Sequence, residues 1–525
     1  MLAISDKLFH ESIASCQIIG STKLPQLGTN PTQRKTSIVR IEDQHWKGRK
    51  LLKPVLEQLA HNHDAALARL EAFLAIPSIS TDPNHTTDIR RAADWLGKTL
   101  PQMGLQTRIH TTKGHPILVA KSHGNDVLNP NAPHVLFYGH YDVQPPDPLD
   151  QWTTPPFEPA IRNNAIYARG ASDDKGQLCT ILESLRAWKV THGKFPVHVT
   201  CLIEGEEECG SEQLPTFINS HREELASDIA ITSDTTMWDI QTIAITYGLR
   251  GVVYFDVQLH NATRDLHSGV YGGALANPAT ILTGVLGGLF DNKHRVTIPG
   301  FYDDVLPVTD EEHRRWLTLN FDETSEYFDP IGIKVPFGED GYSTLERRWA
   351  RPACDINGLY GGYGGEGAKT VIPSFAGAKV SFRTAPNQVA DKIAHHFTSW
   401  LTNHDTHGCQ WEIKQFGSCD PIVLPTDSAY ITAARRACKV TSGREPALVR
   451  EGATLPIVID FKKTLGVDTL LIGFGLSDDC IHAPNEKLNL DCFNLGCRTH
   501  AALLGELATF NGPMGQASAR TLQTK

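Results

Sequence analysis

The chain of 525 residues has no run of 18 consecutive apolar residues, which excludes an ordinary transmembrane helix. It also lacks a surplus of positive charge. Its 49 Lys and Arg are outnumbered by 59 Asp and Glu, for a formal net charge of -10, and this argues against a nucleic-acid partner or an anionic membrane surface. None of the 11 cysteines forms a Cys-x-x-Cys pair. Their odd number and their scatter from Cys16 to Cys497 fit free thiols in a reducing, cytoplasmic compartment. Residues 1–50 lack the basic start and apolar core of a secretory signal. With charges of both signs and little periodicity, they read as a loosely ordered amino-terminal extension. The glycine-rich stretch from Gly361 to Gly367 lacks the Gly-Lys-Ser/Thr ending of a phosphate-binding loop.

What is present is the composition of an ordinary soluble protein, 40% hydrophobic and 21% charged. The length exceeds one compact core and predicts two domains. Leu56, Leu59, Leu67, Leu70 and Phe73 recur at helical spacing and predict one helix over residues 55–73, stopped by Pro77. A second amphipathic helix is expected over residues 88–100, with short strands near 108–110 and 117–120. A pattern then repeats. The apolar strand Val135-Leu136-Phe137-Tyr138 runs into Gly139-His140-Tyr141-Asp142. The segment ending at Tyr167 leads to Ala171-Ser172-Asp173-Asp174-Lys175-Gly176 and a helix-like run to Val190. Residues 197–203 run into Glu204-Gly205-Glu206-Glu207-Glu208, residues 228–232 into Ser233-Asp234, and residues 467–474 towards His482.

In α/β folds, sites form at the carboxyl ends of strands, so this repetition points to a metal site. Each piece also has an ordinary alternative. Asp173-Asp174 before a helix can cap it, the glutamates can form a solvated face, and His140 with Asp142, on one face of an extended chain, can be a strand-end pair. Adjacent carboxylates disfavour double ionisation unless cations neutralise them, and on the metal reading Asp173 lies between two divalent ions. Residues 248–419 change texture, with strand-like 252–259 and 376–383 and helical 277–289 and 389–401, while 301–350 give no clear element. They read as an inserted domain with its own sheet, leaving 51–247 and 420–525 as one discontinuous domain.

Taken in order, these segments resemble the M20 family of metallopeptidases, nearest to its cytosolic nonspecific dipeptidase and carnosinase-like branch. The stretches that carry the resemblance are Gly139 to Pro145, Arg169 to Gly176, Glu204 to Ser211, Ser233-Asp234, Arg264-Asp265-Leu266-His267-Ser268-Gly269, Gly367 to Pro373 and His482 to Glu486. The resemblance covers roughly residues 55 to 510. It implies an α/β fold: a catalytic domain on a mixed, mostly parallel sheet, with an inserted α+β lid and dimerisation domain.

It further implies two divalent metal ions per subunit, zinc first, with manganese or cobalt as alternatives. Residue by residue, His140, Asp173 and Asp234 would hold one ion, and Asp173, Glu208 and His482 the other. Asp142 would orient His140, and Glu207 would be the general base. His267 would stabilise the oxyanion from the other subunit of a homodimer, making the active site composite. Arg383 would bind the substrate carboxylate, with Thr370 and Thr454 as further substrate contacts. Ala453-Thr454 stands where the family usually has Gly-Ser. A cis peptide bond is expected between Asp173 and Asp174. The implied reaction is hydrolysis of a dipeptide or short peptide by a metal-activated water. An N-acyl-amino-acid deacylase with the same chemistry is the alternative.

Overall fold

The computed structural model describes residues 49–511. The readings made for the amino-terminal extension up to residue 48 and for the tail from residue 512 lie outside the described residues. The chain is organised on a nine-stranded mixed sheet. Its centre is four neighbouring parallel strands, in the spatial order His198–Glu204, His134–His140, Ile229–Thr232 and Thr469–Leu471. The antiparallel strands Ile117–Lys121 and Gln106–His110 extend one side. Ala244–Leu249, flanked by Ile422–Val423 and Ala447–Glu451, extends the other.

Period-two alternation explains why these strands are apolar throughout. Val135 and Phe137 enter the core on one face, while Leu136 and Tyr138 enter the core on the opposite face. The first face is covered by helices that include Lys175–His192, Ala429–Ser442 and Leu490–Leu507. Lys175–His192 is buried nearly all round, as a helix lying under others must be. The second face is covered by Leu214–Ser220 and Pro456–Asp460.

The inserted segment builds a separate four-stranded antiparallel sheet in the order Ala353–Gly361, Phe375–Thr384, Gly251–His260 and Gln410–Cys419. Val253, Phe255 and Val257 alternate into a core with Leu282, Phe397 and Leu401 of the helices Pro278–Gly287 and Ala390–Thr402. Within residues 301–350, where no clear element is expected, two short α-helices form, Asp310–Leu317 and Thr344–Trp349. Each starts with a reciprocal capping box, Thr309 with Glu312 and Ser343 with Glu346. Their Trp316 and Trp349 pack with Ala244, Ala447 and Val449 of the large sheet.

Two local expectations need correction. The single helix over 55–73 is two, Arg49–His61 and His63–Leu74, because the chain turns at Asn62. The segment ending at Tyr167 is also not part of the large sheet. Ala165–Tyr167 pairs with Ala160–Arg162 and Lys487–Asn489 in a small side sheet. Asp173 therefore approaches the carboxyl edge of the parallel strands from outside them. Among the described residues no helix is long and apolar enough to cross a membrane, and the ten described cysteines are unpaired thiols.

Candidate functional site

The four parallel strands deliver their downstream residues to one edge. His140 is the last residue of its strand, Asp234 lies two residues beyond Thr232, and Glu207 and Glu208 form a single turn after Glu204. His482 comes from the long loop after Leu471. This is the edge at which open α/β sheets carry their sites.

Asp173 sits between two imidazoles. Its Oδ1 is 3.1 Å from His140 Nε2, and its Oδ2 is 2.9 Å from His482 Nε2. His140 Nε2 lies 3.9 Å from Asp234 Oδ2, and His482 Nε2 lies 3.2 Å from Glu208 Oε2. Two three-residue groups result, His140–Asp173–Asp234 and Asp173–Glu208–His482, and in each one ligand-type atom per residue lies within 4.8 Å of the others. Asp142 stands behind His140. Its Oδ1 is 3.3 Å from His140 Nδ1, its backbone carbonyl is 3.1 Å from the same nitrogen, and its Oδ2 accepts the Glu208 N–H at 3.0 Å. Nδ1 is thereby engaged and Nε2 is left facing Asp173, the arrangement common among metal-ligating histidines.

The donor set fits divalent cations. Among the described residues no Lys or Arg pairs with Asp173, Asp234, Glu207 or Glu208, although all four converge in a largely enclosed space. Buried charges require pairing or metal coordination. The electrostatics show the same deficit. Burial, reinforced by the charge of Asp173, pushes the Asp234 carboxyl well above the usual carboxylate range. Burial and the charge of Asp234 do the same to Asp174. Burial alone would raise Asp173 too, but hydrogen bonds to His140 and His482 outweigh it and hold Asp173 below the usual range. The His482 imidazole is raised to about 10 by its hydrogen bonds to Asp173 and Glu208. Glu207 is pushed up to about 7 by burial, against the favourable charge of His140. Among the described residues, two imidazoles are thus the cluster's only cationic partners.

Asp174 does not cap the following helix with its side chain. Its Oδ2 instead accepts the His140 N–H at 3.2 Å, beneath the cluster. The peptide bond between Asp173 and Asp174 is cis, as expected. Lys175 donates to the carbonyls of Phe73 and Ile76 at 3.2 and 2.6 Å, closing the end of the His63–Leu74 helix.

The remaining residues singled out in the sequence fall into two pairs. Arg383, in the four-stranded sheet, donates from Nη1 to Thr454 Oγ1 at 3.0 Å. Thr454 in turn donates to the Arg250 carbonyl at 2.7 Å. Burial lowers the pKa of Arg383, and no acidic side chain forms an ion pair with it among the described residues. His267 pairs with Val371 in a two-stranded ladder, and the Ser268 N–H donates to the Thr370 carbonyl at 3.1 Å, so His267 and Thr370 are neighbours. Within this chain the hydrogen bond of His267 Nδ1 is with the Gly269 N–H, and neither residue hydrogen-bonds to the Asp173 cluster.

Three supporting residues had not been assigned roles from the sequence. Glu486 accepts from the N–H groups of Gly170, Ser172 and Asp173 and from Arg169 Nη1. Gln144 donates from Nε2 to Glu208 Oε2 at 2.8 Å. Arg250 lies close enough to Arg383 for each charge to act on the other, and burial with that repulsion lowers it to about 10. Glu486 and Gln144 belonged to recognised segments, but nothing in those segments shows which backbone groups a buried carboxylate or amide will meet.

A parallel-strand edge that gathers acids and histidines around one shared aspartate defines a class, the α/β metallohydrolases. The family model for peptidase family M20/M25/M40 matches residues 136–506. The chain belongs to this family and is a metallopeptidase. It is 30% identical over 483 residues to the Cys-Gly metallodipeptidase dug1 of Schizosaccharomyces pombe, covering 87% of this chain and 98% of that one. It is 29% identical over 476 residues to the human Beta-Ala-His dipeptidase, covering 87% and 93%. The solved structure of an M20 family metallo-carboxypeptidase from Sulfolobus solfataricus is similar with a TM-score of 0.76 and 31% identity, covering 85% of this chain and 99% of that one.

Asp142→Asn removes the charge behind His140 and loosens its ring. It is expected to weaken retention of divalent metal about 10- to 100-fold, read by metal analysis after dialysis against graded chelator.

Proposed function

We propose that the chain is a two-metal dipeptidase that hydrolyses the peptide bond of dipeptides or short peptides in the cytoplasm. The observation that carries this reading is the pair of three-residue ligand groups sharing Asp173. The names of the dipeptidase relatives support the substrate class, and the free thiols support the compartment. His140, Asp173 and Asp234 would hold one ion, and Asp173, Glu208 and His482 the other. Mixed imidazole and carboxylate donors suit zinc first, then manganese or cobalt. When bound, such a pair supplies Lewis acidity and brings the pKa of a water towards neutrality.

The protein's own groups do the rest. Glu207 is half-buried beside the ligands, and its carboxylate makes no hydrogen bond among the described residues, so it is free to take the proton of the attacking water and pass it to the leaving amine. Asp142 keeps Nε2 of His140 pointed at the cluster. Arg383 has a planar fork suited to a carboxylate and forms no ion pair of its own among the described residues. Thr454 fixes one of its nitrogens and leaves the rest of the fork for the substrate's terminal carboxylate. Thr370 lines the same inserted segment beside His267.

We assign residues 248–419 the role of lid and dimerisation domain, with His267 donating to the oxyanion of a partner subunit's site. Val270 and Tyr271, three and four residues after His267, and Leu359 on the four-stranded sheet are exposed and apolar, which suits a subunit interface. A deacylase of N-acyl amino acids has less support, because the relatives named above are peptidases.

Purified enzyme loaded with zinc or manganese is expected to cleave Xaa-Gly and Gly-Xaa dipeptides and to leave N-acetyl amino acids nearly untouched. The reverse preference would replace the dipeptidase reading with the deacylase one. Glu207→Gln is expected to lower kcat by about 100- to 10,000-fold with metal content unchanged, and near-normal turnover would remove Glu207 from the role of base. His267→Ala and Glu207→Gln subunits, each inactive alone, are expected to recover activity when mixed under subunit exchange, since each mixed dimer holds one intact site. No recovery despite demonstrated exchange would place the oxyanion donor elsewhere.

A further inference from the structure

A second gathering of metal-type side chains lies away from the Asp173 cluster: His110, His221 and Glu224. His110 is the last residue of the edge strand Gln106–His110. His221 follows the helix Leu214–Ser220, and the Leu225 N–H donates to the His221 carbonyl at 2.9 Å, so one more helical turn continues there. Residues three apart on such a turn project to the same side, and His221 and Glu224 do so. Lys121, on the strand that pairs with Gln106–His110, donates from Nζ to the Glu224 carbonyl at 2.5 Å, which ties this turn to the sheet. One ligand-type atom from each of the three lies within 4.8 Å of the others.

The ring nitrogens are set up for coordination. His221 Nδ1 is 2.9 Å from the Phe217 carbonyl. A carbonyl only accepts, so Nδ1 carries the proton and the lone pair is on Nε2. Backbone carbonyls commonly fix metal-binding histidines in this way. His110 Nε2 is buried and has no hydrogen-bond partner. Phe217 stacks on His221 at 4.0 Å between centroids and meets His110 edge-on at 5.0 Å, which restrains both rings. Glu224 forms no ion pair among the described residues. An aromatic cluster alone would explain the ring packing. It would not explain an unsatisfied buried imidazole nitrogen beside a free imidazole lone pair and an unpaired carboxylate.

We propose that His110, His221 and Glu224 form a further divalent-cation site, distinct from the Asp173 centre and selective for zinc or a similar transition metal. Two imidazoles and one carboxylate favour such ions over magnesium or calcium. Three protein ligands at a half-exposed position leave a fourth place for water. An ion there pins the edge strand to the turn beyond the Leu214–Ser220 helix. The stretch after His110 is tied to the active-site side of the molecule, because the His115 N–H donates to Glu206 Oε1 at 2.9 Å. The ion's role is positional, and it shares no ligand with the Asp173 cluster.

The test is a difference in zinc content. Full-length protein is stripped with chelator, dialysed against micromolar free zinc and assayed for bound metal. The wild-type protein is expected to retain one equivalent more than either His110→Gln or Glu224→Gln, with both variants hydrolysing substrate at the wild-type rate. The count is taken between proteins that share an unaltered Asp173 centre, so it does not depend on how many ions that centre holds. Equal zinc content in the wild type and in the variants overturns the proposal. Glu224 is half-buried and forms no ion pair among the described residues, so Glu224→Gln supplies the comparison if His110→Gln fails to fold.

Discussion

The constraint on which the site depends is the placement of one carboxylate, Asp173, so that each oxygen faces a different imidazole. A free aspartate at a loop would rotate and solvate one oxygen. Here the backbone around it is clamped by Glu486, which takes up the N–H groups of Gly170, Ser172 and Asp173 and the guanidinium of Arg169. Arg169 and Glu486 are both buried, at 1% and 0% exposure, so their pair is shielded from solvent screening and leaving either partner alone would be costly. The Asp173–Glu486 contact joins residues 313 apart in sequence. The two halves of the chain that flank the inserted segment must therefore come together before Asp173 is fixed. His482, four residues before Glu486, arrives by the same closure.

The sheet supplies the rest of the precision. Parallel neighbours His198–Glu204, His134–His140 and Ile229–Thr232 hold their carboxyl ends in register, and their alternating apolar residues are buried on both faces. The ends therefore cannot slip by one residue without turning a core side chain out. That rigidity is what allows several acids to be held close together. Their burial and, after it, their mutual repulsion raise the Asp174 and Asp234 carboxyls, which is the cost of a site prepared for positive charge.

Much of this was legible because strand ends announce themselves locally. An apolar run followed by His140, Glu208 or Asp234 needs only a few residues of context, and the ligand groups contain the five residues singled out from the sequence. Less could be read where the deciding contact is distant. Ala165–Tyr167 reads like another central strand, yet its partners are Ala160–Arg162 and Lys487–Asn489. The break at Asn62 interrupts a helical pattern that continues on both sides, so periodicity passes over it. The capping boxes at Thr309 and Ser343 were written in the sequence as Thr-x-x-Glu and Ser-x-x-Glu. They were missed because charge and aromatics masked the short helices they begin. His110 and His221 lie 111 positions apart and belong to no shared motif, so only the fold brings them together.

The inserted segment raises a different question: how a separate sheet contributes to a site on the large one. Arg383 answers part of it. Its strand belongs to the four-stranded sheet, but its guanidinium reaches Thr454 in the loop after Ala447–Glu451, a strand of the large sheet. Thr454 accepts from Arg383 and donates to the Arg250 carbonyl, so its single hydroxyl uses both kinds of hydrogen-bonding capacity. A serine would offer the same two bonds. Threonine adds a methyl group and a stiffer χ1, which narrows the directions the hydroxyl can take and with it the direction of the guanidinium. The departure at Ala453-Thr454 therefore keeps the bridge between the two sheets and restricts the angle at which the Arg383 fork meets a carboxylate.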